Sequence, residues 1–470
     1  VRSLLAAVLV VALAAPPARA LDGRRLRVVG GRLVDARRRE ITLRGVNARV
    51  AGIFDVTFAD GRLPLEPIPP FDAGDAAKMQ ALGFNLLRLP INWSALEPMP
   101  GRYNRDYLER IAAVVRLCAA RGILVLIDFH QDAFSKEIGE DGAPRWVLDR
   151  LLGPGTYPYL GGPLTDLAAR RLAPATLAAF RAFFANRDGI QDAFAAAAAV
   201  VARRFARSPA VLGYETFNEP LAGSADALFA FNVRVARAIR RADRRHLVAF
   251  EPDVIRNLLN QAPIPAHRFP VRRVLYAPHI YTDVFDGHTF ASGNPAELGP
   301  SMEHAAAEAA GWGAALLVGE YGIDPHAANA DAWITAELDL QDRLRANSAF
   351  WLWAEISQGR WGLFDGLSSA PGGERVDRTT ALARAYAPAV PGRVLEHAFD
   401  AATNRLRLGY RARGTAPVEL FVPARRYPRG FVLRCNGRTL RAPRDPVRGV
   451  VRFHCGRGPG ERLVELEPQG

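Results

Sequence analysis

Lysine is nearly absent from this chain: only Lys78 and Lys136 occur, although 61 of the 470 residues are basic. Arginine supplies all the rest, and the formal net charge is +13. A charge of that size raises the question of an anionic partner. No basic run interleaved with aromatics occurs, so no nucleic-acid partner is expected. Heavy use of Ala, Gly and Pro points instead to a compositional bias of GC-rich codons. Cysteine is also scarce, with residues at 118, 435 and 455 only. Neither these nor the nine histidines fall into a metal-ligand spacing, and no metal or cofactor is expected. The chain lacks the G-x-S-x-G elbow of a serine esterase. It lacks a phosphate-binding P-loop as well. Beyond the first twenty residues no apolar run is long enough to span a bilayer.

What is present suits a large folded protein. Hydrophobic residues make up 49% of the chain, which argues against disorder. The length exceeds that of one ordinary domain. The opening "VRSLLAAVLVVALAAPPARA" has Arg2, an apolar stretch from Leu4 to Ala15, and Ala18-Arg19-Ala20. It reads as a secretory signal cleaved after Ala20, giving a secreted or periplasmic protein. In an oxidising compartment Cys435 and Cys455 are expected to form a disulfide. Cys118, on the apolar face of a helix-period segment, is expected to be inert packing.

From residue 41 onward the chain repeats one grammar, an apolar β run followed by a helical stretch. The runs are "ITLRGVN", "NLLRLPINW", "LVLIDFHQD", "VLGYETFNEP", "LVAFEPD", "VLYAPHIY", "ALLVGEYG" and "AFWLWAE". Eight such units predict a parallel sheet buried on both faces, closed as a (β/α)8 TIM barrel. A doubly wound open sheet is the runner-up, but its glycine fingerprint is missing. After Pro388–Pro391 short alternating strands take over, predicting a small antiparallel β-sandwich. The expected division is a signal at 1–20, the barrel at 21–390 and the β-sandwich at 391–470.

In "GYETFNEP" a core strand carries a carboxylate, Glu219, to its very end. Barrel enzymes place their chemistry at those ends. Here nearly every run finishes in polar or aromatic residues: Arg88, His130, Asp132, Asn218, His279, Tyr281 and Trp353 among them. The opposite ends show nothing comparable. A second acid, Glu320 in "LLVGEYG", would face Glu219 across the mouth. Two carboxylates flanking one bond are what glycoside hydrolysis needs, with the acid's pKa raised by burial and nearby negative charge. Glu251 in "FEPD" competes for this role but reads as structural.

Asn218-Glu219-Pro220, His279-x-Tyr281, Glu320 and Trp353 resemble glycoside hydrolase family 5, the cellulase-like family, from about Gly45 to about Phe364. The resemblance implies that Glu219 is the acid/base and Glu320 the nucleophile of a retaining mechanism. Asn218 would bind the sugar 2-hydroxyl, and Tyr281 would orient the nucleophile. "DFHQDAFSKEIGEDGAPRW", "PINWSALEPMPGRYNRDYLERI" and "WLWAEISQGRWGLFD" resemble the endoglycoceramidase branch of that family. This implies that His130 and Asp132 hold the sugar next to a ceramide. Arg88, Trp146, His279 and Trp353 join them as expected substrate-binding residues.

Long loops after the first and third runs carry apolar residues among Pro and Gly, and fit either a lipid groove or a helical cap. The expected partner is a glycolipid or oligosaccharide, with transient contact to a membrane surface, acting on a monomer. A β-glucanase acting on polysaccharide and a non-catalytic sugar- or lipid-binding barrel are the alternatives.

Overall fold

Each of the eight apolar runs contributes one strand, and the strands close into a single parallel barrel. They are β1 (Arg44–Asn47), β2 (Leu86–Ile91), β3 (Leu124–Phe129), β4 (Val211–Glu215), β5 (Leu247–Phe250), β6 (Val274–Tyr276), β7 (Ala315–Val318) and β8 (Asn347–Phe350). The computed structural model describes residues 21–262, 268–285, 290–356, 361–456 and 458–470; the secretory signal expected at 1–20 lies outside them. Closure runs from β8 back to β1, pairing Ser348 with Arg44 and Phe350 with Val46. Every residue of the eight strands is buried, as a sheet covered by helices outside and side chains inside requires. The strands are shorter than the apolar runs. The last residues of each run leave the ladder and form the rim.

The barrel interior is layered. Leu43, Leu86, Leu126, Leu212, Leu275 and Leu317 belong to one apolar cluster that fills its lower half. Leu26 joins the same cluster from the segment before the barrel, plugging the floor. There Gly23 approaches β4 so closely that a Cβ would sit 1.8 Å from the Val211 carbonyl oxygen. Only glycine fits. Above the leucines, alternation along β2 and β3 points Arg88 and Asp128 inward, while Leu87, Leu89, Val125 and Ile127 pack outward against the helices. Cys118 is buried on the helix Arg105–Ala120, and burial pushes its thiol up to about 12.

The C-terminal region is antiparallel. Gly392–Asp400, Arg405–Ala412, Gly460–Pro468, Phe431–Cys435 and Arg438–Leu440 form a five-stranded sheet. Strict alternation of buried and exposed residues in Arg405–Ala412 marks it as covered on one face only. A separate six-stranded sheet contains Tyr386–Val390, Val418–Phe421 and Val450–Phe453. It also takes in Arg27–Val29, Arg32–Val34 and Glu40–Ile41 from before the barrel. The expected cut between 390 and 391 is therefore not clean. N-terminal strands extend the C-terminal sheet, because Tyr386–Val390 leaves an edge that Glu40–Ile41 pairs.

Cys435 and Cys455 are joined, with Cα atoms 5.6 Å apart across a separation of 20 residues. Replacing both by alanine is expected to cost about 3 kcal/mol, the chain-entropy value for a loop of this size. Urea unfolding should show the loss, while turnover at the distant barrel mouth stays unchanged.

Candidate active site

Arg88 leaves β2 pointing up the barrel axis and is wholly buried. Its Nε and Nη2 grip both oxygens of Glu215, at 3.0 and 2.9 Å. Nη2 also donates to Asn218 Oδ1 (2.8 Å) and Glu251 Oε1 (3.1 Å), and stands 3.1 Å from Asp128. Nη1 donates to Asn47 Oδ1 (3.0 Å) and to Glu320 Oε1 at 2.6 Å. One planar fork thus organises side chains from β1, β3 and β4 and from the segments following β4, β5 and β7. Expected as a sugar ligand, Arg88 instead lies beneath the site and positions it. A cation is needed there because several buried carboxylates meet at one point.

Glu320 is held at both oxygens, by Arg88 and by Tyr281, whose hydroxyl donates to Oε2 at 2.7 Å. It pairs through Glu320–Tyr321 with His279–Ile280, a short parallel continuation above β6 and β7. Glu219 lies four residues past the end of β4, with φ at +38°. A non-glycine residue there is strained and needs the surroundings to hold it. Gln131 Nε2 donates to the carbonyls of Asn218 and Glu219, at 2.8 and 3.0 Å, and the Glu219 amide donates to Glu251 Oε2 at 3.0 Å. Asn257 Nδ2 donates to Glu219 Oε1 at 2.9 Å. Glu251 is thus structural, as expected.

His279 lies between the two acids. Its Nδ1 is 2.9 Å from Glu219 Oε1 and 3.4 Å from Glu320 Oε2. Its Nε2 is 3.3 Å from Glu251 but misaligned for a hydrogen bond. An atom from each of Glu219, His279 and Glu320 falls within 4.8 Å of the others. Burial disfavours the imidazolium, but the charges of Glu251 and Glu320 and the bond to Glu219 outweigh it and keep His279 protonated. Burial also pushes both acids up. At Glu219 the hydrogen bond and charge of His279 win and hold it below the ordinary range. At Glu320 burial prevails over His279 and Arg88, with the Glu219 charge adding to it. The raised acid expected at Glu219 is therefore not found in the free site. The group pushed towards its protonated form is His279 instead.

A cavity of about 690 Å³ opens above these groups. Asp132, Asn218, Glu219, Tyr281 and Glu320 line it, as expected of them. Asn218 spends its carbonyl on Arg88 and one N–H on Gln131, leaving a second N–H free. His130 lies just behind, bonded to Asp128 at 2.6 Å and Asp132 at 3.2 Å, and stacked on Trp351 at 5.6 Å. Two tryptophans correct the expectation. Trp353 turns away from the cavity, donates to Asp75 Oδ1 at 3.0 Å and packs on Phe364. Its buried indole N–H needs an acceptor, and Asp75 in the helix Ala73–Ala81 provides one. Trp146 donates to the Glu97 carbonyl at 2.9 Å and packs edge-on to Trp93, away from the cavity.

Other residues take their places. Trp351 and Trp361 line the cavity, as does Arg171, which donates to Asp132 Oδ1 at 2.7 Å from the helix Leu167–Arg171. Arg171 sits in a long loop with no pattern to mark it. Glu215 and Asp128 sit inside apolar runs, and strand alternation was their only signal. Two further carboxylate groupings, Glu215–Glu251–His279 and Asp132–Glu140–Asp141, are close enough to share a cation. Protein cations already occupy them: Arg88 bonds Glu215 and Glu251, and Arg171 lies 2.7 Å from Asp132 and 3.6 Å from Glu140.

Residues 67–358 match the profile described as cellulase (glycosyl hydrolase family 5), and residues 384–464 match the glycoside hydrolase family 5 C-terminal domain. Endoglycoceramidase I of Rhodococcus hoagii is 30% identical over 274 residues, covering 54% of this chain and 52% of that protein. The chain spans about half the length, or less, of the curated relatives it matches first. Endo-glycoceramidase II from Rhodococcus sp., solved as a lactosyl-enzyme intermediate, superposes with a TM-score of 0.76 at 25% identity, covering 93% of this chain and all of that one. An endogalactoceramidase crystal structure gives 0.76 at 28%, covering 95% and 100%.

Arg88→Met should destabilise the protein by about 3–5 kcal/mol, because it strands buried carboxylates. Thermal and urea unfolding would measure this, and Arg88→Lys should recover only part, since it keeps the charge but not the fork. His279→Gln removes the charge that depresses Glu219, so the Glu219 pKa must rise. The proton shared by His279 and Glu219 is nevertheless lost at lower pH once its favoured site is gone, so the alkaline limb of kcat/KM should move to lower pH, along with a lower maximum.

Proposed function

The chain belongs to glycoside hydrolase family 5, and on that premise we propose that it is a retaining β-glycosidase that cleaves the bond between sugar and ceramide in glycosphingolipids. The observation that carries the mechanism is the approach of Glu219 and Glu320, whose nearest oxygens lie within 4.8 Å. A retaining pair stands about 5–5.5 Å apart, whereas an inverting pair needs about 6.5–9.5 Å to admit water.

Glu320 attacks the anomeric carbon, and Arg88 and Tyr281 keep its oxygens aligned for that step. The bond to the ceramide oxygen breaks as Glu219 delivers to it a proton drawn from His279. Esterification cancels the Glu320 charge. Before attack that charge favours a protonated Glu219; afterwards it no longer opposes the carboxylate, which then takes a proton from the incoming water. His279, bonded to Glu219, holds a proton within reach of both acids. Water attacks the glycosyl ester, and the sugar leaves with its configuration retained.

The substrate class is supported by the cavity walls and by the relatives. The lining includes Asp132, Asn218 and Trp351, suited to a sugar, and also Leu167, Leu172, Val254, Ile255 and Phe285. A polysaccharide would leave those apolar side chains facing water, but a ceramide would bury them. The relatives named above are endoglycoceramidases and an endogalactoceramidase. We further read residues 1–20 as directing export, and the protein as a monomer that meets its substrate at a membrane surface.

Glu320→Gln should abolish turnover, because no ester can form. Glu219→Ala should slow cleavage of natural glycolipid by about 10²–10⁴-fold, yet spare aryl glycosides with good leaving groups. Azide added to that variant should yield the β-glycosyl azide, identified by NMR. An α product, or a Glu320→Gln variant of near wild-type rate, would overturn the mechanism. Release of sugar from soluble cellulose but not from glycosylceramides would favour the polysaccharide reading.

A further inference from the structure

Among the described residues, twelve large apolar side chains stay exposed, and only Val29, Leu395 and Val447 belong to the antiparallel β region. All the others sit on segments that follow barrel strands. Chance would spread such residues over the whole surface. Six of them, Leu63, Tyr159, Leu172, Ile255, Leu259 and Phe285, are between 40% and 69% exposed. Leu172, Ile255 and Phe285 also line the cavity, so apolar surface continues from its wall to the outside. Leu63 and Tyr159 lie on the Leu172 side: the Gly162 amide donates to the Leu63 carbonyl, and Arg170 donates to that of Gly161. Leu259 extends the opposite flank, on the same short helix, Arg256–Leu259, that follows Ile255.

Cations are set among these groups in one manner. The Arg62 guanidinium stacks 3.9 Å from the Phe58 ring, and that of Arg145 lies 4.4 Å from the Tyr159 ring. Lys136 stands 5.6 Å from Phe58, but it pairs with Asp55, and Arg62 pairs with Asp60 and Glu137, which leaves Arg145 as the exposed cation of this group. Arginine or lysine over an aromatic ring, beside exposed leucine, is the chemistry of a lipid headgroup boundary.

We infer that this rim is a docking surface for a lipid bilayer, with anionic headgroups meeting Arg145 and the leucines entering the acyl boundary. The inference rests on the glycolipid reading above and adds the surface that delivers the substrate. A second copy of the chain seated here would close the cavity mouth, whereas a bilayer presents its lipid to it. Exposed Arg145, over the Tyr159 ring, favours headgroups that carry negative charge. Docking by a few side chains is reversible, as release between turnovers demands.

The test uses the full chain and phosphatidylcholine vesicles with or without phosphatidylserine. Cosedimentation should show binding that strengthens with phosphatidylserine and weakens with salt. Leu63→Glu combined with Leu259→Glu alters neither acid nor any cavity-lining residue of the site. It should lower vesicle binding and hydrolysis of vesicle-borne glycosylceramide by about tenfold or more. Hydrolysis of a soluble aryl glycoside should stay unchanged, which also shows that the variant is folded. Equal vesicle binding by wild type and variant would overturn the proposal, as would no binding to either vesicle. A wild-type dimer in sedimentation that the variant loses would assign the rim to a second copy instead. Failure of wild type on the aryl glycoside, with vesicle binding intact, would count against the glycosidase reading and not against docking.

Discussion

The Arg88 guanidinium is the interaction on which the site depends. Asp128, Glu215, Glu251 and Glu320 all reach it within 3.1 Å, in a space closed below by leucines. A cation is needed where these carboxylates meet, and even beside it burial pushes Glu251 and Glu320 up. With it, the barrel holds a dense negative region whose geometry is fixed by a planar fork rather than by a mobile ammonium. The leucine layer matters equally, because it keeps water from screening these charges from below.

The same arrangement governs where the proton resides. Arg88 bonds Glu320 but not Glu219, and His279 bonds Glu219 directly. The free site therefore favours a proton on His279 and a carboxylate at Glu219. Such a site is coupled: any change of charge at Glu320 changes the field at Glu219 within hydrogen-bonding distance of His279. The strained backbone at Glu219 has the same origin. It is the cost of turning this carboxylate back over the mouth, and Gln131 and Glu251 hold it there.

The cavity lining is of two kinds. Its polar groups come from beyond the strand ends, and aromatic rings accompany them. Its apolar groups come from the segments after β3, β5 and β6, which also carry most of the exposed residues of the rim. The helix Leu167–Arg171 supplies both kinds, with Leu167 in the lining and Arg171 on Asp132. The long loop after β3 thus both packs on the barrel and lines the cavity.

Periodicity and composition by themselves determined the eight strands and their order, since buried parallel strands must be continuously apolar and each must be followed by a helix. They also determined the two acids, because a carboxylate at the end of such a strand has nowhere to go but the rim. The cysteine pair and the antiparallel region were legible for similar local reasons. Tertiary structure alone decided what lies beneath. Arg88 looked like a ligand because its position on β2 is right for one, but only the assembled barrel brings four acids around it. Glu215 and Asp128 were hidden inside apolar runs, where one charged residue carries no local signal. Trp351 and Trp353 are two residues apart with similar neighbours, and the choice between them fell to Asp75, some 280 residues away in sequence, which offered one buried indole its acceptor. The N-terminal strands joined the C-terminal sheet for the same kind of reason: a free sheet edge recruits whatever strand the fold brings beside it, and sequence distance does not enter into that contact.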